Sequence, residues 1–556
     1  MTTLIFRNGK VLSEAVLDGT LEQPPSALVV EDGVIAAIGQ EDTAEAHLDG
    51  ADRVIDLEGR LLMPGFVDAH VHAYQGGLER NACDLTSALT AEAYEDIIRR
   101  YHVDHPEGWL VGGGWAMEAF PNGLARRETL DELVGDRPAF LPNKDHHSAW
   151  VSSAALRAAG IDQGTPDPPG GRIERDPDGE PTGMLHEHAM GLVQAVMPTT
   201  TQDEYDAGLR TASEYLTSLG IVGWQEVYLK TVDAEPGPHQ AYRSADAEGA
   251  LHARVRAALW WDPTVPAEGI AAEVARLAEI REETNRAGGR YGINAVKIMQ
   301  DGVAETYTAA MLEPYLGEDG APTANTGISF LEPELLTKVV AALDAAGFQI
   351  HLHALGDRAV RDCLDALEAA RAAHGDRDLR HHLVHLQFVD PDDVPRFAEL
   401  RATANIQALW AVHDPQTDAL TAPYVGEERA ERMYPFGELL RTGAPLAMGS
   451  DWPVSTPDPL AAIHVAVNRR AVGADQSVRP LGSSQDIPLL TALKAYTAGS
   501  AWLNRAEETT GSLRVGAAAD LIVLDRDLLT VPPEEIGQAV VDHTFIEGVE
   551  VYARER

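Results

Sequence analysis

At 556 residues, with 44% apolar and 24% charged, the chain has the composition of an ordinary globular protein, long enough for one elaborated barrel or several average domains. No run approaches the ~18 apolar residues that a membrane span needs, and a formal charge of −43 repels a nucleic acid instead of exchanging its counterions for Lys and Arg. The two cysteines, Cys83 and Cys363, stand in no ligand spacing, which argues against a disulfide framework and a thiolate site and leaves nitrogen and oxygen to hold any metal.

The N-terminus carries a few apolar residues without a basic leader or cleavage site, so the expected location is cytoplasmic. Short strands follow, Leu4–Arg7, Lys10–Leu12, Ala27–Val30 and Val34–Ile38, punctuated by Asn8-Gly9 and Asp32-Gly33. Hairpins of this length need a sheet to join, and Leu521–Asp525 and Thr544–Val551 offer one at the far end of the chain. Residues 1–60 and 505–556 are therefore expected to form one composite β-sandwich, with a barrel over 61–504 inserted between them.

From Leu61 the pattern becomes short apolar runs alternating with Ala-, Leu-, Glu- and Arg-rich helical stretches, the signature of repeated β-α units. Eight runs qualify as strands: Pro64–His72, Ile221–Val227, Ala253–Trp260, Ile293–Met299, Phe348–His353, His382–Gln387, Thr403–Gln407 and Pro445–Asp451. This predicts an α/β fold, a (β/α)8 TIM-type barrel. The long segment 101–219 between the first two strands reads as a lid or subdomain over the catalytic face.

His70-Val71-His72 closes the first strand, where alternation sends both imidazoles to one face and lets them share a cation. The competing triplet His186-Glu187-His188 falls in a stretch that reads as helical, which points its histidines apart. His353 and His385 end two further strands and Asp451 ends the last, and catalytic groups of such barrels gather at those ends. His351 shares the inward face with His353 and is the rival ligand, whereas His381 and His382 are expected outside the site. Lys297 lies within an apolar strand, where desolvation leaves some neutral amine able to take up carbon dioxide as a carbamate that bridges two cations. Asp451 is expected both to ligate a metal and to accept a proton from its water.

These motifs resemble the amidohydrolase superfamily, in particular its YtcJ-like branch, which includes N-substituted formamide deformylases. The resemblance spans nearly the whole chain and rests on Pro64-Gly65-Phe66-Val67-Asp68-Ala69-His70-Val71-His72, Val296-Lys297 with Asp301-Gly302, His353 to Val360, His385, Gly449-Ser450-Asp451-Trp452-Pro453-Val454 and Gly511-Ser512-Leu513 to Leu521. It implies one or two Zn2+ or other divalent ions held by His70, His72, Lys297, His353, His385 and Asp451, with Lys297 carboxylated in many members. It also implies hydrolysis of an amide or formamide C–N bond by metal-bound hydroxide. Trp115, Glu118, His147, Asp301, Gln407 and Trp452 are the surrounding residues it suggests, with His147, Trp115, Asp301 and Trp452 as substrate contacts. The loop Ala304–Thr308 departs from the expected pattern. Cyclic amide, lactone or deamination chemistry would use the same machinery, and a metal-free scaffold is the rival from another class. The expected partner is a small-molecule substrate, with a homodimer left open.

Overall fold

The computed structural model describes residues 2–229, 236–482 and 484–555. At the N-terminus, Thr3–Arg7, Ala27–Glu31, Val34–Gly39 and Arg53–Asp56 form a four-stranded sheet, whose Asp32-Gly33 hairpin turn takes positive φ at both residues. A five-stranded sheet joins the two ends of the chain, with Leu61–Pro64 running antiparallel to Leu521–Leu524, which in turn pairs with Val541–Ile546. Both sheets bury side chains in one apolar cluster, where Phe6 meets Phe545 edge to face at 5.2 Å.

Eight parallel strands form the central sheet in sequential order: β1 Phe66–Val71, β2 Ile221–Leu229, β3 Arg254–Trp260, β4 Tyr291–Met299, β5 Gln349–Ala354, β6 His382–His385, β7 Thr403–Ile406 and β8 Leu446–Met448. All eight predicted runs contain a strand, but the last ends at Met448, so Asp451 lies beyond its end and not within it, and the first is shifted. Leu61–Pro64 belongs to the terminal sheet, and β1 starts only after Gly65, where a Cβ would stand 2.4 Å from Val222 Cγ1. Only glycine lets the chain pass that close to β2.

The sheet curls until its first and last strands meet. Beyond the end of β8, Asp451 N–H donates to His70 O at 2.8 Å and His72 N–H to Trp452 O at 2.8 Å, while Asn405 Nδ2 donates to Ala69 O at 2.9 Å. Gly449 lies against this seam, and a Cβ there would meet His70 N at 2.6 Å. The helix Gln202–Ser218 opens with a Thr201/Glu204 capping box and packs on the helix Ala73–Arg80 through Gly77 and Gly208.

Between β1 and β2 the chain builds a six-stranded sheet from Cys83–Asp84, Leu110–Gly113, Ala139–Pro142, Ser148–Val151, Pro181–Glu187 and Gly171–Arg175, with apolar clusters of its own. Here one expectation fails: His186-Glu187 ends a strand and is not helical, because Ser148↔His186 and Arg172↔His186 pairing fixes it in a sheet. Long-range pairing of this kind overrides a local reading.

The seam gives a test. Gly449→Ala should lower stability by about 1–3 kcal/mol through overpacking against His70, seen as a lower urea midpoint together with reduced metal retention. A midpoint equal to that of the parent would show that the seam yields freely.

Candidate metal centre

Asp451 stands at the centre of the site. Its Oδ1 lies 3.0 Å from His70 Nε2 and 3.1 Å from His72 Nε2, and its Oδ2 lies 3.9 Å from His385 Nδ1. The ring of His70 is 5.0 Å from that of His385, which is 4.6 Å from that of His353. Asp451 and His385 both adopt left-handed backbone, φ 57° and 76°, so the chain holds strain where it turns these side chains inward.

A chain of hydrogen bonds fixes which nitrogen His70 presents. Gln349 Nε2 donates to the carbonyls of Arg380 and Leu503, both at 2.9 Å, which makes its Oε1 an acceptor for Gln225 Nε2 at 3.0 Å. Gln225 Oε1 must then accept from His351 Nδ1 at 2.7 Å, so His351 Nε2 accepts from His70 Nδ1 at 2.7 Å. The lone pair of His70 is left on Nε2, toward Asp451. His351, the rival ligand, has both nitrogens engaged and supports His70 from below.

His353 is oriented in the same way. Asp301 accepts backbone N–H groups from Ala310, Leu355 and Gly356 at 2.8–3.1 Å, so His353 Nδ1, 3.2 Å from Asp301 Oδ1, is its remaining donor. His385 receives support on two sides, since its N–H donates to Gln407 Oε1 at 2.8 Å and its ring stacks on Trp410 at 5.3 Å.

Burial, with Lys297 as the next cause, lowers His70 to about 3, and burial likewise holds His353 and His385 well below the ordinary imidazole value. Neutral imidazoles are the form that binds a cation. Burial works against the Asp451 carboxylate, yet His70, His72 and His385 keep it well below its usual range. Lys297, in β4 and 3% exposed, is lowered by burial to about 7, and among the described residues its Nζ has no hydrogen bond or ion pair.

The donor set fits a divalent cation. His70 Nε2, His385 Nδ1 and Asp451 Oδ1 are buried without hydrogen-bond partners, and ligand atoms of His70, His72 and Asp451 lie within 4.8 Å of one another. A cavity of about 210 Å3 opens directly onto Asp451, His353 and His385, walled by His147, Trp410, Tyr434 and Leu409.

Three expected substrate contacts are elsewhere. Trp115 is fully buried in the inserted sheet, its indole N–H on Leu141 O at 2.8 Å, and Trp452 packs on Tyr215 and the surface of Gly76. Both satisfy apolar cores and leave the cavity unlined. Asp301 is buried behind His353, whose ring it orients. His147 does line the cavity, while Glu118 pairs with Lys144 at 3.0 Å and Gln407 braces His385. Sequence reasoning missed Gln225, whose only signal is a polar residue in an apolar strand, and Glu226. The Glu226 carboxylate accepts from Tyr242 OH at 2.7 Å and from Tyr74 N–H at 3.3 Å, with His72 as a charge neighbour. His186 bonds to Ser148 Oγ at 2.8 Å in its own sheet, outside the site.

A parallel barrel with a histidine–aspartate cluster at the C-terminal strand ends, opening on one cavity, is the architecture of a metal-dependent hydrolase. The amidohydrolase family profile matches residues 53–552, and the chain belongs to that family. YtcJ of Bacillus subtilis is 30% identical to it over 95% of this chain and 96% of its own length. The N-substituted formamide deformylase of Arthrobacter pascens is 27% identical over 95% of each. An uncharacterized metal-dependent hydrolase from Pyrococcus horikoshii has the same fold, with a TM-score of 0.72 at 24% identity, covering 96% of this chain and 99% of that one.

Two measurements follow from the geometry. His70→Ala and His385→Ala should each lose stoichiometric metal in elemental analysis, whereas His186→Ala keeps it, and equal loss in all three would refute the ligand choice. Gln225→Leu frees the tautomer of His351, and should weaken metal affinity about 10–100-fold in a chelator competition titration while the fold stays intact.

Proposed function

We propose that the protein hydrolyses a C–N bond of the amide or N-substituted formamide type, using one or two zinc ions held by His70, His72, Lys297, His353, His385 and Asp451. The observation that carries this reading is that Asp451 lines the cavity while its carboxylate faces His70 and His72. The bound cation supplies Lewis acidity, polarising a carbonyl and bringing the pKa of water toward neutrality. Asp451 takes the proton of the attacking water and passes it to the departing nitrogen, so that carboxylic acid and amine are the products. Trp410, Tyr434 and Leu409 offer an apolar wall for the organic group of the substrate.

Segment 101–219 acts as the lid, since its loop brings Lys144, Asp145 and His147 to the cavity, and the terminal sheets form a β-sandwich bracing the barrel. No described helix is long and apolar enough to cross a membrane. The two cysteines are free and buried, in keeping with a cytoplasmic enzyme.

A panel of N-formyl, N-acyl, lactam and lactone compounds with zinc-loaded protein tests the reaction: turnover is expected on open-chain amides, and turnover of lactones alone would overturn it. Lys297 tests the two-metal form. With a pKa of about 7, much of its amine is neutral near pH 7, able to bond carbon dioxide and release a proton. Lys297→Ala should lower metal content and abolish turnover, and added acetate should restore part of both by occupying the vacated volume. Full metal occupancy and a near-parental rate in Lys297→Ala would exclude the carbamate and leave a single-metal site.

A further inference from the structure

The second His-x-His triplet contributes its middle residue to the site. Glu187, at the end of the strand Pro181–Glu187 and in left-handed backbone at φ 51°, turns its carboxylate to His147, whose Nδ1 lies 2.9 and 3.0 Å from the two oxygens. Thr308 Oγ1 approaches the same carboxylate at 3.4 Å. The main-chain N–H groups hold the pair as well: that of His147 donates to Asp145 Oδ1 and that of Glu187 to His147 O, both at 2.9 Å. With Nδ1 committed, Nε2 is the ring nitrogen left for a ligand, and His147 lines the cavity together with His353, His385 and Asp451.

We propose that His147 is a catalytic residue that donates a hydrogen bond from Nε2 to the acyl carbonyl oxygen of the substrate and stabilises the negative charge that builds there, with Glu187 as its positioning residue. The inference rests on the C–N hydrolase reading and adds to it an electrophile supplied by the protein. The other cationic side chain lining the cavity, Lys144, is drawn to Glu118 at 3.0 Å, and Asp145, Glu305 and Asp414 are acidic. None of these serves a developing oxyanion as a fixed, paired imidazolium does. Burial works against the charge on His147, but Glu187 outweighs it, with help from Asp145 and Glu305, and raises the ring to about 9. His147 therefore stays a donor through neutral pH and leaves proton transfer to Asp451.

The test uses the zinc-loaded full chain and methylphosphonate, a tetrahedral anion, as the probe in calorimetry, beside kcat and KM on any amide the panel identifies. His147→Ala should keep its zinc and lower kcat by about 10²–10³-fold, with KM changed by only a few-fold, and bind the probe at least tenfold more weakly. His147→Gln, which keeps a neutral donor, should fall between the two and serves as the second variant if the alanine protein is unfolded by circular dichroism. In Glu187→Gln, the burial of His147 loses its main opponent and the ring should give up its charge at a lower pH than in the parent, so probe affinity relative to the parent falls as pH rises; Glu187→Asp should recover part of the parental profile. A merely structural Glu187 would lower affinity equally at every pH. Folded, zinc-replete His147 and Glu187 variants that bind methylphosphonate as the parent does would overturn the proposal. If no amide in the panel is turned over, the C–N reading fails by itself, and the probe still decides the role of His147.

Discussion

The 2.7 Å hydrogen bond between His70 Nδ1 and His351 Nε2 determines what the site can be. A neutral imidazole has one proton and one lone pair, and a ligand histidine is useful only when the lone pair faces the metal. Here the choice is made outside the site, by two main-chain carbonyls that orient Gln349, which orients Gln225, which orients His351. Each link has one polarity available to it, so the tautomer of His70 is fixed by backbone positions in the barrel wall. The polar layer inside the barrel is the means by which the fold sets which nitrogen His70 turns toward Asp451. It also explains why a barrel interior, ordinarily filled by branched apolar residues, carries glutamine and histidine here.

The seam between β1 and β8 supplies the second constraint. His70 and His72 come from the first strand and Asp451 follows the last, so no local segment holds the three together. Two backbone hydrogen bonds across the closure do so, at the same residues that carry the ligands. Gly449 allows that approach, and the left-handed backbone at Asp451 turns the carboxylate back toward the histidines. Strain of this kind costs about 1–3 kcal/mol per residue and persists because the surrounding seam over-determines it. Closure of the barrel thus brings His70, His72 and Asp451 together.

Much of this was legible in the sequence, and what was not has physical reasons. The strands of the barrel announced themselves through apolar runs spaced by helical stretches, and the C-terminal ends of those runs named the ligand candidates. His353 was preferred to His351 as a ligand from its place at the strand's end, but the part that His351 plays instead was out of reach. Both share a face of β5, and the two-residue step between them, about 7 Å along a strand, separates the metal centre from the polar layer beneath it. Only the register, which sets Lys297 beside His351 and Met299 beside His353, shows their depths. Trp115 and Trp452 carry the same aromatic signal whether they line a cavity or fill a core. Glu187 and His147 meet through pairing of strands more than thirty residues apart, as the Ser148↔His186 register shows, and no periodicity reports that.

Buried charge completes the account of why the centre calls for a cation. Asp68, Glu226, Asp301 and Asp451 are all buried around the same histidines. Burial pushes Asp68 and Asp301 up to about 7, and it raises Glu226 as well, while His70, His353 and His385 are held below the ordinary imidazole value. Backbone N–H groups from His70 and Ser450 stabilise the Asp68 carboxylate and three others stabilise Asp301, which works against the effect of burial without cancelling it. Lys297 is the one lysine in this core among the described residues, and its own burial favours the neutral amine. A buried carboxyl group keeps its charge only where donors or positive charge stand beside it, and otherwise takes up a proton. A divalent ion held at Asp451 would place positive charge among these acids, so the groups that orient the histidines would also favour a cation in the site.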